Sequence, residues 1–380
     1  MFVKFVQRYV FFDTFVYCCT FKFKTSMNNQ NNNVVIMAGG VGSRFWPMST
    51  PECPKQFIDV LGCGKTIIQM TYERFRGICP PENFWVVTSA NYASIVKEQL
   101  PEIPESNILL EPCRRNTAPC IAYVSWRIKT KNPNANLVVT PSDHIVTDTE
   151  TFRNVISSAL DFTASTDAIV TVGIKPSRPE TGYGYIQADL SCSSPRNKNI
   201  YRVDNFKEKP SLDVAKEYIK SGEFFWNAGI FVWSVKTVVN ALRVYQPTLS
   251  SIFEGIQSCY GTAEEQETIN RVFPTCENIS VDYAIMEKAE EIFVYPADFG
   301  WSDLGTWGSL HTLAKQDEYK NNVIGDNIRL YDTRNCIVHA VGAKKVVVQG
   351  LDSCIVAEKD GVLLICKLSE EQRIRQFSED

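Results

Sequence analysis

The sequence predicts an open α/β sheet of the doubly wound kind, covered by helices on both faces, with a small all-β unit following it. Three observations carry that prediction. From residue 34 onward short apolar runs alternate with amphipathic stretches, the first apolar run empties into a glycine-rich turn, and after about residue 321 the texture changes to short β runs separated by turn residues. With 380 residues and 44% hydrophobic content, the chain has material for one large domain and a smaller one.

Taken in order, the expected strands are Val34–Ala38, Phe84–Thr88, Leu137–Thr140, Ile169–Val172 and Gly229–Trp233, each dominated by branched or aromatic side chains. Between the first four, apolar residues at helical spacing predict helices over Ile67–Phe75, Tyr92–Leu100, Pro119–Lys129 and Phe152–Phe162. Further on, Ile328, Ile337, Val346, Ile355 and Leu363 recur about every nine residues, the pattern of a short solenoid whose open end can pair with a second copy to give a homodimer. The main domain is therefore assigned to 34–320 and the C-terminal β domain to 321–380.

The first 26 residues are out of character with the rest. Phe, Tyr and Val crowd between Lys4, Arg8, Asp13, Lys22 and Lys24, but Asp13 interrupts the apolar stretch and no small-residue cleavage site follows, which disfavours a signal peptide or an anchor. Met27 precedes the polar run Asn28 to Asn33 and is a candidate start codon, so 1–33 is expected to be poorly ordered and outside the fold.

A net charge of -4 and a pI near 5.6 provide no global field to draw in nucleic acid or an anionic membrane, so a phosphate ligand must be held by local basic groups. Thirteen cysteines, an odd number without CxxC pairs, read as reduced thiols in a cytoplasmic protein.

The most informative segment is Ala38-Gly39-Gly40-Val41-Gly42-Ser43-Arg44-Phe45-Trp46-Pro47, followed by Pro54-Lys55-Gln56-Phe57. Backbone N–H groups unscreened by Cβ atoms can close on phosphate oxygens, and Arg44 and Lys55 can supply charge, which suits a nucleoside triphosphate. A tight strand-to-helix turn without ligand is the competing reading of the glycines alone. A dinucleotide fingerprint fails because Phe45 stands at the third glycine of Gly40-Val41-Gly42-Ser43-Arg44-Phe45, and Gly64-Lys65-Thr66 fails as a P-loop because Asp59 stands where its first glycine belongs.

Gly39-Gly40-x-Gly42-x-Arg44-x-Trp46-Pro47 with Pro54-Lys55-Gln56-Phe57 resembles the signature of the sugar-phosphate nucleotidyltransferases, and the Trp-Pro and Lys-Gln-Phe pieces are similar to the mannose-1-phosphate guanylyltransferase branch. The resemblance runs from about residue 34 to the C-terminus. It implies a Rossmann-like open mixed sheet and transfer of a guanylyl group from GTP to mannose 1-phosphate with Mg²⁺, giving GDP-mannose. It also implies that Ala38, Gly39, Gly40, Gly42, Ser43, Arg44, Lys55, Asn116, Thr117 and Asp143 contact the nucleotide, with Arg44 and Lys55 catalytic.

Asp143, in Pro141-Ser142-Asp143-His144 after an apolar strand, could equally be a turn former; the resemblance makes it a Mg²⁺ ligand, completed by Asp303 in Trp301-Ser302-Asp303-Leu304-Gly305. His144 reads as a packed neighbour. For the sugar phosphate the resemblance implies Gly182 in Thr181-Gly182-Tyr183-Gly184, Glu208 and Lys209 in Phe206-Lys207-Glu208-Lys209-Pro210, and Asn227. Without it, Glu208 and Lys209 read as an exposed charge run and Asn227 as a turn residue. Asn116-Thr117 opens a helix whose free N–H groups favour an anion or a base edge, and Asp282 is a weaker site candidate beside a helix start.

With three histidines and no nucleophilic triad, covalent catalysis is not expected. Two alternatives stay open: a nucleotidyltransferase using UTP or dTTP with glucose 1-phosphate, and a non-catalytic regulatory relative that binds nucleotide sugars. The resemblance also includes larger relatives with an added isomerase domain. The chain's end at Asp380 leaves too little sequence for one, so no phosphomannose isomerase activity is expected.

Overall fold

The computed structural model describes residues 30–40, 42–343 and 345–378. Eleven strands build the main body: β1 (Asn32–Ala38), β2 (Phe84–Ser89), β3 (Ile108–Glu111), β4 (Asn136–Pro141), β5 (Ile145–Val146), β6 (Ile169–Ile174), β7 (Gly184–Ser194), β8 (Asn197–Glu208), β9 (Phe224–Ser234), β10 (Ile292–Ala297) and β11 (Trp301–Ser302). Nine of them form one mixed sheet in the order β3-β2-β1-β4-β9-β6-β10-β8-β7, while β5 and β11 pair separately. β1 runs parallel to both neighbours, with Val34 opposite Phe84 and Val138.

The apolar runs are continuous rather than alternating because the sheet is covered on both sides. On one face Val35, Trp85 and Val139 pack with Ile121 and Trp126 of α3 (Thr117–Lys131, the third helix). On the other, Val34, Ile36 and Val138 pack with Ile68 of α1 (Ile67–Arg74) and Phe152 and Ile156 of α4 (Thr149–Thr163); α2 (Ala93–Gln99) adds Val96. Asp148 caps α4 by accepting from Thr151 N, and Thr66 starts α1 with a reciprocal capping box to Gln69. Gly64-Lys65-Thr66 is thus the lead-in to a helix.

The boundary expected at residue 33 shifts at its edge. β1 begins at Asn32, and Asn32 and Asn33 are buried, with Asn33 Oδ1 accepting from Trp85 Nε1 at 3.0 Å. Polar side chains hid this strand start because their partners come from distant segments. Residues 1–29 lie outside the described residues. The β7–β8 hairpin and β10 were also not legible: much of β8 is exposed, and the register of β7 slips at Gln187/Ala188 and again toward Ser194.

The C-terminal strands are β12 (Asn322–Ile324), β13 (Ile328–Tyr331), β14 (Ile337–His339), β15 (Val346–Gln349), β16 (Cys354–Lys359) and β17 (Val362–Lys367). Ile328 pairs with Val346 and Ile337 with Ile355, both in parallel register. The nine-residue recurrence is therefore half of a coil for its first four members, with Ile328 and Val346 stacked in β13-β15 and Ile337 and Ile355 in β12-β14-β16-β17, whereas Leu363 leaves the coil in β17, which turns back antiparallel to β16. This unit is not a loose appendage. Ile337, Ile355, Ala357 and Leu364 share a core with Phe45, Met48, Val60 and Trp307, and Lys359 Nζ donates to Met48 O at 2.7 Å. It buttresses the segment that follows the glycine loop. Among the described residues no helix is long and apolar enough to cross a membrane, and the eleven described cysteines are free.

Candidate active site

The strand order reverses between β1 and β4, so a crevice opens beyond their carboxyl ends, the usual ligand position in open α/β sheets. Gly39 and Gly40 leave β1 there and Asp143 follows β4. The loop is held from below: Gln56 Nε2 donates to Gly40 O at 2.9 Å and to Ala38 O at 3.3 Å, and Ser49 Oγ donates to Gly42 O. Gly42 has φ +63°, and a Cβ there would lie 2.5 Å from Lys55 Cβ, so glycine is required both for backbone and for space. Among the described residues nothing lies within 4 Å of where a Cβ on Gly40 would stand, so this face of the loop is open. Ser43 and Arg44 begin a short 3-10 turn (Ser43–Phe45), and the exposed Arg44 has no side-chain partner among the described residues.

Lys55 occupies the centre. Its buried ammonium contacts Asp143 Oδ2 at 3.0 Å and donates to Asp303 O at 2.9 Å and Leu304 O at 2.8 Å. One side chain thus ties together segments almost 250 residues apart. Burial pushes the Asp143 carboxyl up, but the Lys55 ammonium and His144 outweigh it and hold the group below the usual carboxylate range. Burial depresses His144 against the opposing pull of both carboxylates, Asp143 and Asp303. His144 accepts from Trp301 Nε1 at 3.2 Å, the role of a packed neighbour. Buried Arg74 donates to His144 O at 2.7 Å and pins this turn; burial lowers its guanidinium to about 9.

The Asp303 carboxylate accepts from Gly305 N at 3.0 Å and from Tyr183 O–H, both at Oδ1. Tyr183 then leads to a second cluster, since its ring meets Trp226 and Trp301 edge-on at 5.2 and 5.4 Å. At the mouth of the β7–β8 hairpin Lys209 Nζ contacts Glu208 Oε1 at 2.6 Å, and Lys209 N donates to Tyr183 O. Gly184 faces Glu208 across the hairpin, where a Cβ would lie 2.5 Å from Glu208 Oε2. Asn227 donates to Asp282 Oδ1 at 3.0 Å while its own Oδ1 accepts from Thr171 and Gly229 N. Burial, with Glu208 adding repulsion, pushes the Asp282 carboxyl up to about 6. Gly182 N donates to Glu180 Oε1, just before this cluster.

The start of α3 differs from the expectation of free N–H groups. Thr117 N donates to Asn116 Oδ1, Ala118 N donates to Ile279 O, and Pro119 has no N–H. Thr117 Oγ1 accepts from Val281 N at 2.8 Å. Asn116 is exposed at the helix start with φ +67°. The first N–H groups of this helix are therefore already satisfied by the protein.

Two groups escaped the sequence reading. Tyr183 lay within a motif chosen for its glycines, and its link to Asp303 spans 120 residues. Glu111, the last residue of β3, is a buried carboxylate that no local pattern marks.

The donor set at Asp143 and Asp303 is all oxygen, which suits a hard divalent cation. Tyr183 and Gly305 take Oδ1 of Asp303 and Lys55 takes Oδ2 of Asp143, leaving Asp303 Oδ2 and Asp143 Oδ1, the latter 3.9 Å from His144 Nε2. No group of three or more potential ligands occurs among the described residues, so substrate phosphates and water would complete such a site.

The nucleotidyl transferase family model matches residues 33–320. Mannose-1-phosphate guanylyltransferase 2 of Escherichia coli O157:H7 is 36% identical over 353 residues, covering 91% of this chain and 72% of the relative. Mannose-1-phosphate guanylyltransferase of Escherichia coli is 35% identical over 348 residues, covering 90% and 74%. Among solved structures, a protein described as mannose-1-phosphate geranyltransferase from Thermus thermophilus superposes with a TM-score of 0.81 at 30% identity, covering 92% of this chain and 99% of that one.

Proposed function

This chain belongs to the nucleotidyl transferase family, and we propose that it transfers the guanylyl group of GTP to mannose 1-phosphate, releasing pyrophosphate and forming GDP-mannose. The observation that carries the reading is the convergence on one rim of an open glycine loop, an exposed Arg44 and a Lys55 already drawn to Asp143 and the Asp303 turn. The names of the relatives favour guanylyl and mannosyl substrates over the uridylyl and thymidylyl alternative.

The sugar phosphate needs no base to activate it, since its oxygen is already anionic. That oxygen forms a bond to the α-phosphorus of GTP, the bond from this phosphorus to the β-bridging oxygen breaks, and pyrophosphate leaves with the electron pair. The residues' task is to bring two anions together in line. The backbone of Gly39, Gly40 and Gly42 cradles the triphosphate. Arg44, exposed beside it, meets charge on the departing pyrophosphate. Lys55 fixes Asp143 against the Asp303 turn and offsets negative charge at the centre. On the sugar side Glu208 accepts from hydroxyl groups, Lys209 holds the sugar phosphate, and Asn227, oriented by Asp282 and Thr171, lines the pocket. Asp143 and Asp303 would hold Mg²⁺, which supplies charge neutralisation between the phosphates when bound. The exposed Val347, Leu363 and Ile365 support pairing of two copies through the C-terminal sheets.

The test is pyrophosphate release from GTP, ATP, UTP and dTTP, each with mannose 1-phosphate or glucose 1-phosphate and Mg²⁺. GTP with mannose 1-phosphate is the expected best pair. A best pair with another base or sugar refutes the assignment, and silence across the matrix with tight GDP-mannose binding favours a regulatory protein.

A further inference from the structure

Gly64-Lys65-Thr66 does not cradle phosphate with its backbone, because the Asp59 carboxylate already accepts from Cys63 N at 3.0 Å and Gly64 N at 2.6 Å. Its lysine nevertheless borders a cavity of about 470 Å³ that neither the glycine loop nor Asp143 lines. Around it stand Cys63, Lys65, Glu73, Arg74, His144 and Arg153, so three permanent cations face a single carboxylate. Lys65 Nζ takes that carboxylate at the exposed edge, 2.7 Å from Glu73 Oε2. The two arginines are left without it.

Arg74 of α1 is only 6% exposed; Nη2 donates to Thr71 Oγ1 and, at 2.7 Å, to His144 O, and Nε has no partner among the described residues. Arg153 of α4 donates from Nε to Arg74 O at 3.0 Å and from Nη2 to Glu73 O at 2.8 Å. All these acceptors are neutral, and among the described residues neither guanidinium is bonded to a carboxylate. A neutral amide could serve a hydroxyl or a carbonyl, whereas a guanidinium buried for that purpose gives up its hydration with no opposite charge in contact. The effect shows at Arg74, where burial lowers the guanidinium to about 9 although Asp143 opposes the shift. Positive charge held beside a cavity without a counter-charge favours an anion, and planar guanidinium groups match the oxygens of a phosphoryl group.

The cavity is separate from the substrate crevice but adjoins its frame. Its wall includes Ile145 and Val146 of β5, which pair with Ser302 and Trp301 of β11, directly before Asp303. We propose that this cavity is a second anion site, taking a phosphoryl group between Arg74, Arg153 and Lys65 behind the turns that carry Asp143 and Asp303. The site is independent of which base and sugar the crevice accepts.

The probe is inorganic phosphate, and Cys63, an exposed thiol on the cavity wall, reports where it binds. Alkylation of Cys63 by iodoacetamide is followed by peptide mass spectrometry against Cys192, an exposed thiol outside the cavity, with chloride at equal ionic strength as the blank. Phosphate should slow Cys63 and leave Cys192 unchanged. Arg153→Gln should need about 10-fold more phosphate for half-protection, the effect of losing one charge-assisted hydrogen bond. Should that variant fail to fold, Lys65→Gln at the exposed edge must also raise the half-protection point. Absence of protection, or protection that neither variant weakens, overturns the proposal. Glucose 6-phosphate in place of phosphate separates the sources of the group: half-protection at a lower concentration makes the occupant a phosphorylated metabolite, and at an equal or higher one makes it free phosphate.

Discussion

Replacing Lys55 by Ala removes the contact on which the site is centred, and the structure allows the consequence to be sized. The ammonium is buried, with three oxygen partners at 2.8–3.0 Å, one of them the Asp143 carboxylate. Removing one member of a fully buried ion pair costs about 3–5 kcal/mol. Asp143 keeps 32% exposure of its side chain, so solvent screens part of that loss. The two orphaned carbonyls, Asp303 O and Leu304 O, each lose a charge-assisted hydrogen bond. A net destabilisation of roughly 2–4 kcal/mol follows, read as a lower urea midpoint at unchanged slope. Turnover at saturating substrates should fall by about 10²–10³, as when an oxyanion donor is lost. A Lys55→Ala protein with unaltered midpoint and nearly full turnover would refute both the tie and its use in catalysis.

Gly42→Ala imposes a left-handed backbone on alanine and drives its Cβ toward Lys55; a loss of about 1–2 kcal/mol from the backbone alone, with reduced kcat, is expected from melting and turnover. Asp143→Asn and Asp303→Asn should each raise the Mg²⁺ concentration needed for half-maximal rate; Asp143→Asn, which deprives the buried Lys55 ammonium of its carboxylate, should also melt lower, whereas Asp303→Asn stays near wild type, and an unchanged requirement in both refutes their pairing. His339 is buried with both ring nitrogens unpartnered among the described residues, and burial depresses it to about 4. The unfolded chain takes up this proton first, so stability is lost as pH falls from about 6.5 to 4, by roughly 3 kcal/mol in full. Glu111 and Asp282, both pushed up, act in the opposite sense, so the comparison of wild type with His339→Leu in urea at pH 4 to 7 isolates the histidine. The variant should show the shallower acid loss, and parallel curves would count against it.

How much was legible follows from how local each signal is. Buried parallel strands such as β1 and β4 are continuous apolar runs, and their helices carry a 3.6-residue pattern, so both were visible in one dimension. The coil of the C-terminal unit was visible as a nine-residue beat, but not its packing on Phe45 and Met48, because complementarity between distant surfaces leaves no local trace. In the site, Gly42, Lys55 and Asp143 were readable as motifs. The bond from Tyr183 to Asp303 and the buried carboxylate of Glu111 arise only when strands from separate regions share a rim. At Asn116 and Thr117 the helix start was readable, whereas the capture of its N–H groups by Ile279 and of the Thr117 hydroxyl by Val281 was not.

The stereochemical course at phosphorus tests the central claim most directly. GTP carrying a chiral thiophosphate at the α-position, allowed to react with mannose 1-phosphate, should give GDP-mannose inverted at that phosphorus, because a single in-line displacement between two held anions exchanges one oxygen for another on opposite faces. Retention would require two displacements through a covalent enzyme intermediate, and would contradict a site that acts by position and charge alone.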